Sequence, residues 1–322
     1  MEYSVLLKKF PYFTTIHEKG ERMRRFLLSL LLLGIGTALA GTVRDYRPIG
    51  NDRCLRSETG EWAMLRRFNM EGKARTLAID TRTLQTTILP LPKRTTTCRS
   101  DSRYRRLLRR TGSPPYPLQN DGITHGKEGL YLTTDLCPSS KKGFEKRLYE
   151  AIIRRFPHPV PVTLFVTRRW IERHPTAFET LRQWERNGSL AVTWGNHTAR
   201  HHYHPGKALA ENFVLSPEEN LTEDILTLER ALLERGVTPS IFFRFPGLVS
   251  DEKAIHTVTR LGLIPIGTDA WLAKGQMPKE GSIILVHGNK NEPKGVTIFL
   301  KLMEEGKIRK LRAITDIDTT ER

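Results

Sequence analysis

His197-Thr198-Ala199-Arg200-His201 follows directly on an apolar, strand-like run at residues 190–194. Two imidazoles four residues apart stack on one face of a helical turn, and such a pair suits two ligands of one metal ion. Alone, that spacing is weak evidence. Other polar residues also come just after apolar runs. Asp135 follows residues 130–134, Arg244 sits at the end of residues 241–245, Asp269 and Trp271 follow residues 263–267, and His287 follows residues 282–286. Each has an ordinary reading of its own: a helix cap for Asp135, half an ion pair for Arg244, rim packing for Trp271, a loop histidine for His287. Their shared placement sets them apart, because core or surface polar residues would scatter along the strands.

The elements that must position them alternate from residue 127 onward. Strand-like runs lie at residues 130–134, 162–166, 190–194, 241–245, 263–267, 282–286 and 311–314, and helix-like runs at 142–156, 175–187, 221–235, 251–261 and 296–305. Pro175 suits a first helical turn, and Gly188 and Gly236 suit helix exits. Strand–helix alternation over about 190 residues implies a parallel sheet with helical crossovers. Seven strands point to an α/β fold of irregular barrel form, with a doubly wound open sheet as the alternative. In α/β barrels, residues at the carboxyl ends of strands converge on one face, where catalysis occurs.

The 322 residues leave room for one large domain or two smaller ones. A 27% charged and 38% hydrophobic composition fits a globular chain. The net charge of +17 raises nucleic acid as a partner. The N-terminus points elsewhere. Met23-Arg24-Arg25 precedes a leucine-rich run at residues 26–35, followed by Ala38-Leu39-Ala40, the order of a cleavable signal peptide. An uncleaved membrane anchor is the alternative, although the run is short for a span. Residues 1–22 resemble neither signal nor domain, so Met23 is the expected translation start. Export to the periplasm or beyond the cell is therefore expected, with cleavage near Ala40. Without residues 1–40 the chain keeps 46 Lys/Arg against 32 Asp/Glu. Anionic envelope polymers are then a more natural partner than nucleic acid.

Residues 41–126 hold 17 Lys/Arg against 8 Asp/Glu, densest at residues 99–110. Residues 76–89 read as a hairpin around Asp80-Thr81-Arg82-Thr83, and Gly112-Ser113-Pro114-Pro115 with Pro117 reads as a linker. This small basic β-containing module is either a dock for an anionic surface or an appendage with a solvated face. Cys54 and Cys98 form a disulfide in an oxidising compartment, or stay separate thiols. Cys137, two residues after Asp135, is a small buried residue or a redox- or metal-sensitive thiol.

Residues 127–316 resemble the polysaccharide deacetylases of the NodB-homology type, carbohydrate esterase family 4. The family's H-[ST]-x-x-H is matched by residues 197–201, its R-x-P by Arg244-Phe245-Pro246, its D-x-W by Asp269-Ala270-Trp271 and its L-x-H by Leu285-Val286-His287. The first motif, T-F-D-D-G-P, departs: the chain reads Thr133-Thr134-Asp135-Leu136-Cys137-Pro138. Leu136 stands where the family has a metal-ligating aspartate and coordinates nothing. The resemblance implies a NodB-type (β/α) barrel at 127–322 behind the module at 41–126.

It also implies a mechanism. A divalent metal, most simply zinc, is held by His197 and His201, its shell completed by water or by Asp135, Cys137, His202 or His204, unless no catalytic metal binds. Asp135 is the base and Arg244 keeps it ionised. His287 is the acid, and Asp269 keeps it protonated. Trp271 and Leu285 wall a pocket for the acetyl methyl, with Pro246 and Gly247 as further substrate contacts. A loop at residues 204–220 overhangs the site and shapes substrate choice. The implied substrate is an N-acetylated glycan. A non-catalytic glycan-binding protein, which Leu136 favours, and a hydrolase of another C–N bond are the competing readings.

Overall fold

The computed structural model describes residues 41–50, 52–58, 60–138 and 143–318. The signal-peptide reading falls on residues 1–40 and lies outside the described residues. Among the described residues, no helix is long and apolar enough to cross a membrane.

An antiparallel sheet comes first. It comprises β1 (Val43–Pro48), β2 (Arg53–Ser57), β3 (Gly60–Met70), β4 (Lys73–Asp80), β5 (Thr86–Pro90) and β6 (Thr96–Thr97), in the order β5-β4-β3-β2-β6 with β1 also on β3. The expected hairpin is β4–β5. Asp80 shapes its turn, its Oδ1 accepting from the backbone N–H of Arg82 (2.8 Å) and Thr83 (3.0 Å). A disulfide joins Cys54 on β2 to Cys98 just past β6.

Helix α1 (Arg103–Thr111) occupies the arginine-rich stretch, burying Tyr104, Leu107, Leu108 and Thr111 along one face. Several of its arginines are spent on the chain itself. Arg103 donates to the Ile317 carbonyl, Arg106 to that of Asp101 and Arg109 to that of Ser100. The buried side of α1 joins Leu65, Ile79, Val258, Leu261 and Ile264 in one apolar cluster, so the first sheet packs on the second half of the chain. Arg66, from β3, is fully buried there. Its guanidinium makes two hydrogen bonds to Glu229 (2.7 and 2.9 Å) and one to the Leu261 carbonyl (2.6 Å).

The second sheet is parallel, seven-stranded and curled into a half-barrel. Its strands are β7 (Tyr131–Leu136), β8 (Val160–Val166), β9 (Leu190–Asn196), β10 (Phe242–Phe243), β11 (Ile264–Pro265), β12 (Ala270–Trp271) and β13 (Ile283–His287), ordered β11-β10-β9-β8-β7-β13-β12. Helices α2 (Lys146–Arg155), α3 (Arg168–Arg173), α4 (Pro175–Arg186), α5 (Leu221–Leu233), α6 (Glu252–Arg260) and α7 (Pro293–Glu304) make the crossovers and flanks. Gly188 and Gly236 follow α4 and α5 with φ of 75° and 70°, the left-handed exits read from the sequence.

Residues 311–314, expected as the seventh strand, do not join the sheet. Leu311 is buried and Arg312 donates one backbone bond to Leu130 (2.9 Å), but the chain then turns into a 3-10 helix at Ile314–Asp316. Their apolar side chains fill the core without a ladder, and the two-residue β12 is the seventh strand. The stretch read as a linker leads into residues that bridge Val249, Ile266 and Ser282 through Gln119, Ile123 and His125.

Side-chain alternation sorts the central strands into two faces. On β7, β8 and β13, Leu132, Leu136, Leu164, Val166, Ile284 and Val286 enter the cluster beneath the helices. Tyr131, Phe165 and Ile283 enter the other, inside the half-barrel. Asp135, Leu285 and His287 share that inner parity.

Candidate active site

Asp135 is next to last on β7, and His287 ends the neighbouring β13. The two are direct register partners across the parallel pair, so both side chains leave the same face at adjacent strand ends. His197 follows the last residue of β9, and Arg244 comes just after β10. Strand ends thus gather four of the expected residues at the carboxyl rim.

Arg244 is fully buried and organises this rim. One terminal nitrogen donates to Asp135 Oδ1 (2.8 Å) and Thr133 Oγ1 (2.7 Å), the other to the Gly267 carbonyl (2.8 Å), and Nε to the Ile266 carbonyl (3.2 Å). The guanidinium also lies 4.3 Å from the centroid of the Phe165 ring. Burial works against charge on Asp135, but Arg244, then His197 and His287, outweigh it and hold the carboxyl below its usual range.

The His197–His201 segment is not a helical turn. It is an irregular loop with Thr198 and His201 in the left-handed region, at φ of 68° and 50°. Local hydrogen bonds impose that path. Asn196 Oδ1 accepts from Thr198 N–H (2.9 Å), and Thr198 Oγ1 accepts from His201 N–H (3.1 Å). The rings converge all the same, edge to face, with centroids 4.7 Å apart. His197 Nδ1 sits 2.8 Å from the Arg244 carbonyl, which can only accept. That nitrogen therefore carries the hydrogen, and in the neutral ring Nε2 presents a lone pair.

Nε2 of His197 lies 3.5 Å from Cys137 Sγ and 3.8 Å from Asp135 Oδ2. One donor atom each from Cys137, His197 and His201 falls within 4.8 Å of the others. Cys137 and His197 are buried and His201 partly so, and this donor set fits a divalent cation. Leu136, between Asp135 and Cys137, is fully buried among the residues under the helices and does not reach the cleft. Burial opposes a Cys137 thiolate, yet the two imidazoles bring its pKa well below the ordinary thiol range.

The sequence reading misplaced the partner of His287. Asp269 accepts from Ser282 Oγ (3.0 Å) and Ile283 N–H (3.0 Å) and pairs with His125 Nδ1 (2.7 Å). Those contacts engage both of its oxygens, and none of them is with His287. Glu292 instead faces His287, Oε2 to Nδ1 at 2.9 Å, an ion pair in which the ring N–H is not aligned for a hydrogen bond. The same Oε2 accepts from Trp271 Nε1 (2.8 Å). Burial lowers the His287 pKa, but contacts with Cys137 and Glu292 and the charge of Asp135 push it up to about 10.

Asp135, Cys137, His197, His201, His287 and Glu292 line a cleft of about 710 Å³ with Trp271, Leu285 and Gly247, a size typical of ligand sites; Arg244 and Asp269 are not part of its lining. Pro246, expected as a further substrate contact, is buried and does not line it. Tyr203 and Phe213 complete one side. Phe213 comes from the 204–220 loop, whose shape Asn212 fixes by accepting from His204 N–H (2.9 Å) and donating to the His204 carbonyl (2.8 Å). The Phe213 ring presses on Gly247, where a Cβ would lie 2.4 Å from it. Neither aromatic carries a sequence signal. His202 and His204 stand apart with Glu219, His202 Nδ1 being 2.7 Å from that carboxylate.

Residues 122–266 match the polysaccharide deacetylase family. Among solved structures, a family 4 carbohydrate esterase from Bacillus anthracis is 20% identical, with 66% of this chain and 90% of that one covered and a TM-score of 0.45. The chitin deacetylase of the fungal pathogen Colletotrichum lindemuthianum is 20% identical over 63% of this chain and 89% of that one, at a TM-score of 0.43. A family 4 pseudoenzyme from Bacillus anthracis is 16% identical over 62% and 69%, at 0.40. At residues 122–266 the chain carries a polysaccharide deacetylase domain, a member of a family of amide-cleaving hydrolases.

Proposed function

We propose that this protein is an exported, metal-dependent deacetylase that removes acetyl groups from the N-acetylated sugars of a peptidoglycan- or chitin-like glycan. The observation that carries the reading is a buried carboxylate held ionised by Arg244, 3.8 Å from His197 in the cleft that His201 also lines, with a third imidazole, His287, on the adjacent strand. Export rests on the signal-like order of residues 23–40.

His197 and His201 would hold the cation, zinc being the simplest choice. When bound, it would polarise the attacking water and the acetamide carbonyl. Asp135 takes the proton of the water as its oxygen bonds to the carbonyl carbon. Arg244 keeps that carboxylate charged and aimed. His287 gives its proton to the departing nitrogen as the C–N bond breaks, releasing acetate and leaving a free amine on the sugar. Glu292 orients His287. Trp271 and Leu285 wall the cleft where the acetyl methyl would sit, and Phe213 with Tyr203 offers aromatic faces to a sugar ring.

Acetate release by the full-length protein from chitooligosaccharides and peptidoglycan fragments, with zinc supplied, tests this. Asp135→Asn and His287→Gln should each lose about 10²–10⁴ in rate while keeping the native circular dichroism. Undiminished release by both variants would overturn the mechanism. Glycan binding with no release by the unaltered protein would establish the binding-protein reading that Leu136 favours.

A further inference from the structure

We propose that Cys137 supplies the third protein ligand of the metal held by His197 and His201, making a Cys-His-His centre. The inference rests on the metal-site reading above. Strand geometry is its first support. Successive residues of β7 face opposite sides, so the position after Asp135 points into the core beneath the helices, where Leu136 lies fully buried. The next residue to face the cleft is Cys137, which lines it with Asp135. The strand end is fastened on both sides. The Leu136 carbonyl accepts from Thr167 Oγ1 (3.1 Å), and the Cys137 carbonyl accepts from the buried Asn289 Nδ2 (2.9 Å).

Distance is the second support. Tetrahedral zinc, with bonds of about 2.3 Å to sulfur and about 2.0–2.1 Å to nitrogen, sets a sulfur and a nitrogen ligand about 3.6 Å apart. Cys137 Sγ and His197 Nε2 are 3.5 Å apart. The third support is His197 Nδ1 against the Arg244 carbonyl, the outer contact that orients a metal-bound imidazole. Three protein ligands leave one position for water or substrate, as hydrolysis requires. A thiolate in the set favours zinc and other thiophilic ions over magnesium, calcium and manganese.

Cobalt reads this directly. The chain has three cysteines, two of them in the disulfide, so Cys137 is the one free thiol. Adding Co²⁺ to metal-stripped full-length protein should give visible d–d bands together with a near-ultraviolet thiolate-to-cobalt charge-transfer band, both discharged by Zn²⁺. Cys137→Ser should abolish the charge-transfer band. It should also weaken zinc binding by more than the ~100-fold that loss of an outer contact costs. Cys137→Asp should restore cobalt binding without the charge-transfer band, which separates ligand loss from misfolding. One equivalent of cobalt bound with no charge-transfer band, and equal zinc affinity in Cys137→Ser, would overturn the cysteine assignment and leave the histidine site standing. No cobalt or zinc binding at all would overturn both.

Discussion

Replacing Arg244 by Met keeps an aliphatic stem and removes the cation. Arg244 and Asp135 are both buried, with side chains 0% and 5% exposed, so solvent cannot screen the orphaned carboxylate. Breaking a buried pair from one side costs about 3–5 kcal/mol. Neutralising the orphan with Asp135→Asn in the same chain should then regain about 1–3 kcal/mol. The pH dependence has a definite sign. In the native protein the folded pKa of Asp135 is depressed. The pair therefore stabilises the fold above the unfolded carboxylate value of about 4, and that contribution fades as pH falls through the lower folded value. In Arg244→Met, burial without the cation raises the folded pKa. The variant is then weakest near neutrality, and its deficit shrinks as pH falls towards about 4. Urea unfolding of the wild type, Arg244→Met and Arg244→Met/Asp135→Asn at about pH 7 and about pH 4.5 measures both effects. Equal stability of the single and double variants, with a deficit that does not change with pH, would refute the assignment of Arg244 as the group that keeps Asp135 charged.

Two further outcomes follow from the geometry. Leu136→Asp, which rewrites the first motif towards the family pattern, should destabilise the protein by at least about 3 kcal/mol, because the carboxyl enters an apolar core; denaturant titration showing no loss, with metal affinity raised, would mean that residue 136 reaches the cleft. Cys54→Ser/Cys98→Ser should cost about 2–4 kcal/mol, since the bridge closes a long loop with a sequence separation of 44, and scanning calorimetry should register a lower Tm with deacetylation at low temperature preserved.

The sequence exposes this fold where signals are periodic and the site where motifs sit at strand ends. Strands β7, β8, β9 and β13 are long enough for their buried runs to be read directly. β12 spans two residues, too few for a period, whereas residues 311–314 carry a strand-like pattern that the core uses without pairing. In α1 the spacing of Tyr104, Leu107, Leu108 and Thr111 is a helical stripe hidden by the surrounding arginines. At the site, Asp135, His197, Arg244 and His287 were legible because strand ends place them. Asp269 was not, because a motif fixes a position along the chain and not the histidine that its side chain meets. Glu292 lies on the loop leading into α7, five residues after His287, and only the fold of that loop pairs them. Phe213 reaches the cleft through hydrogen bonds of Asn212, which leave no trace in apolar periodicity.

Arg66 and Glu229 lie 163 positions apart, one on the first sheet and one on a helix of the half-barrel, and each is the other's counter-charge away from water. The two halves are therefore not interchangeable cassettes. A recombination that brought in a foreign N-terminal sheet would strand a glutamate in an apolar interior unless the newcomer carried a cation at the same spot. Descent should have kept these two positions in step, as a matched pair inherited or lost together.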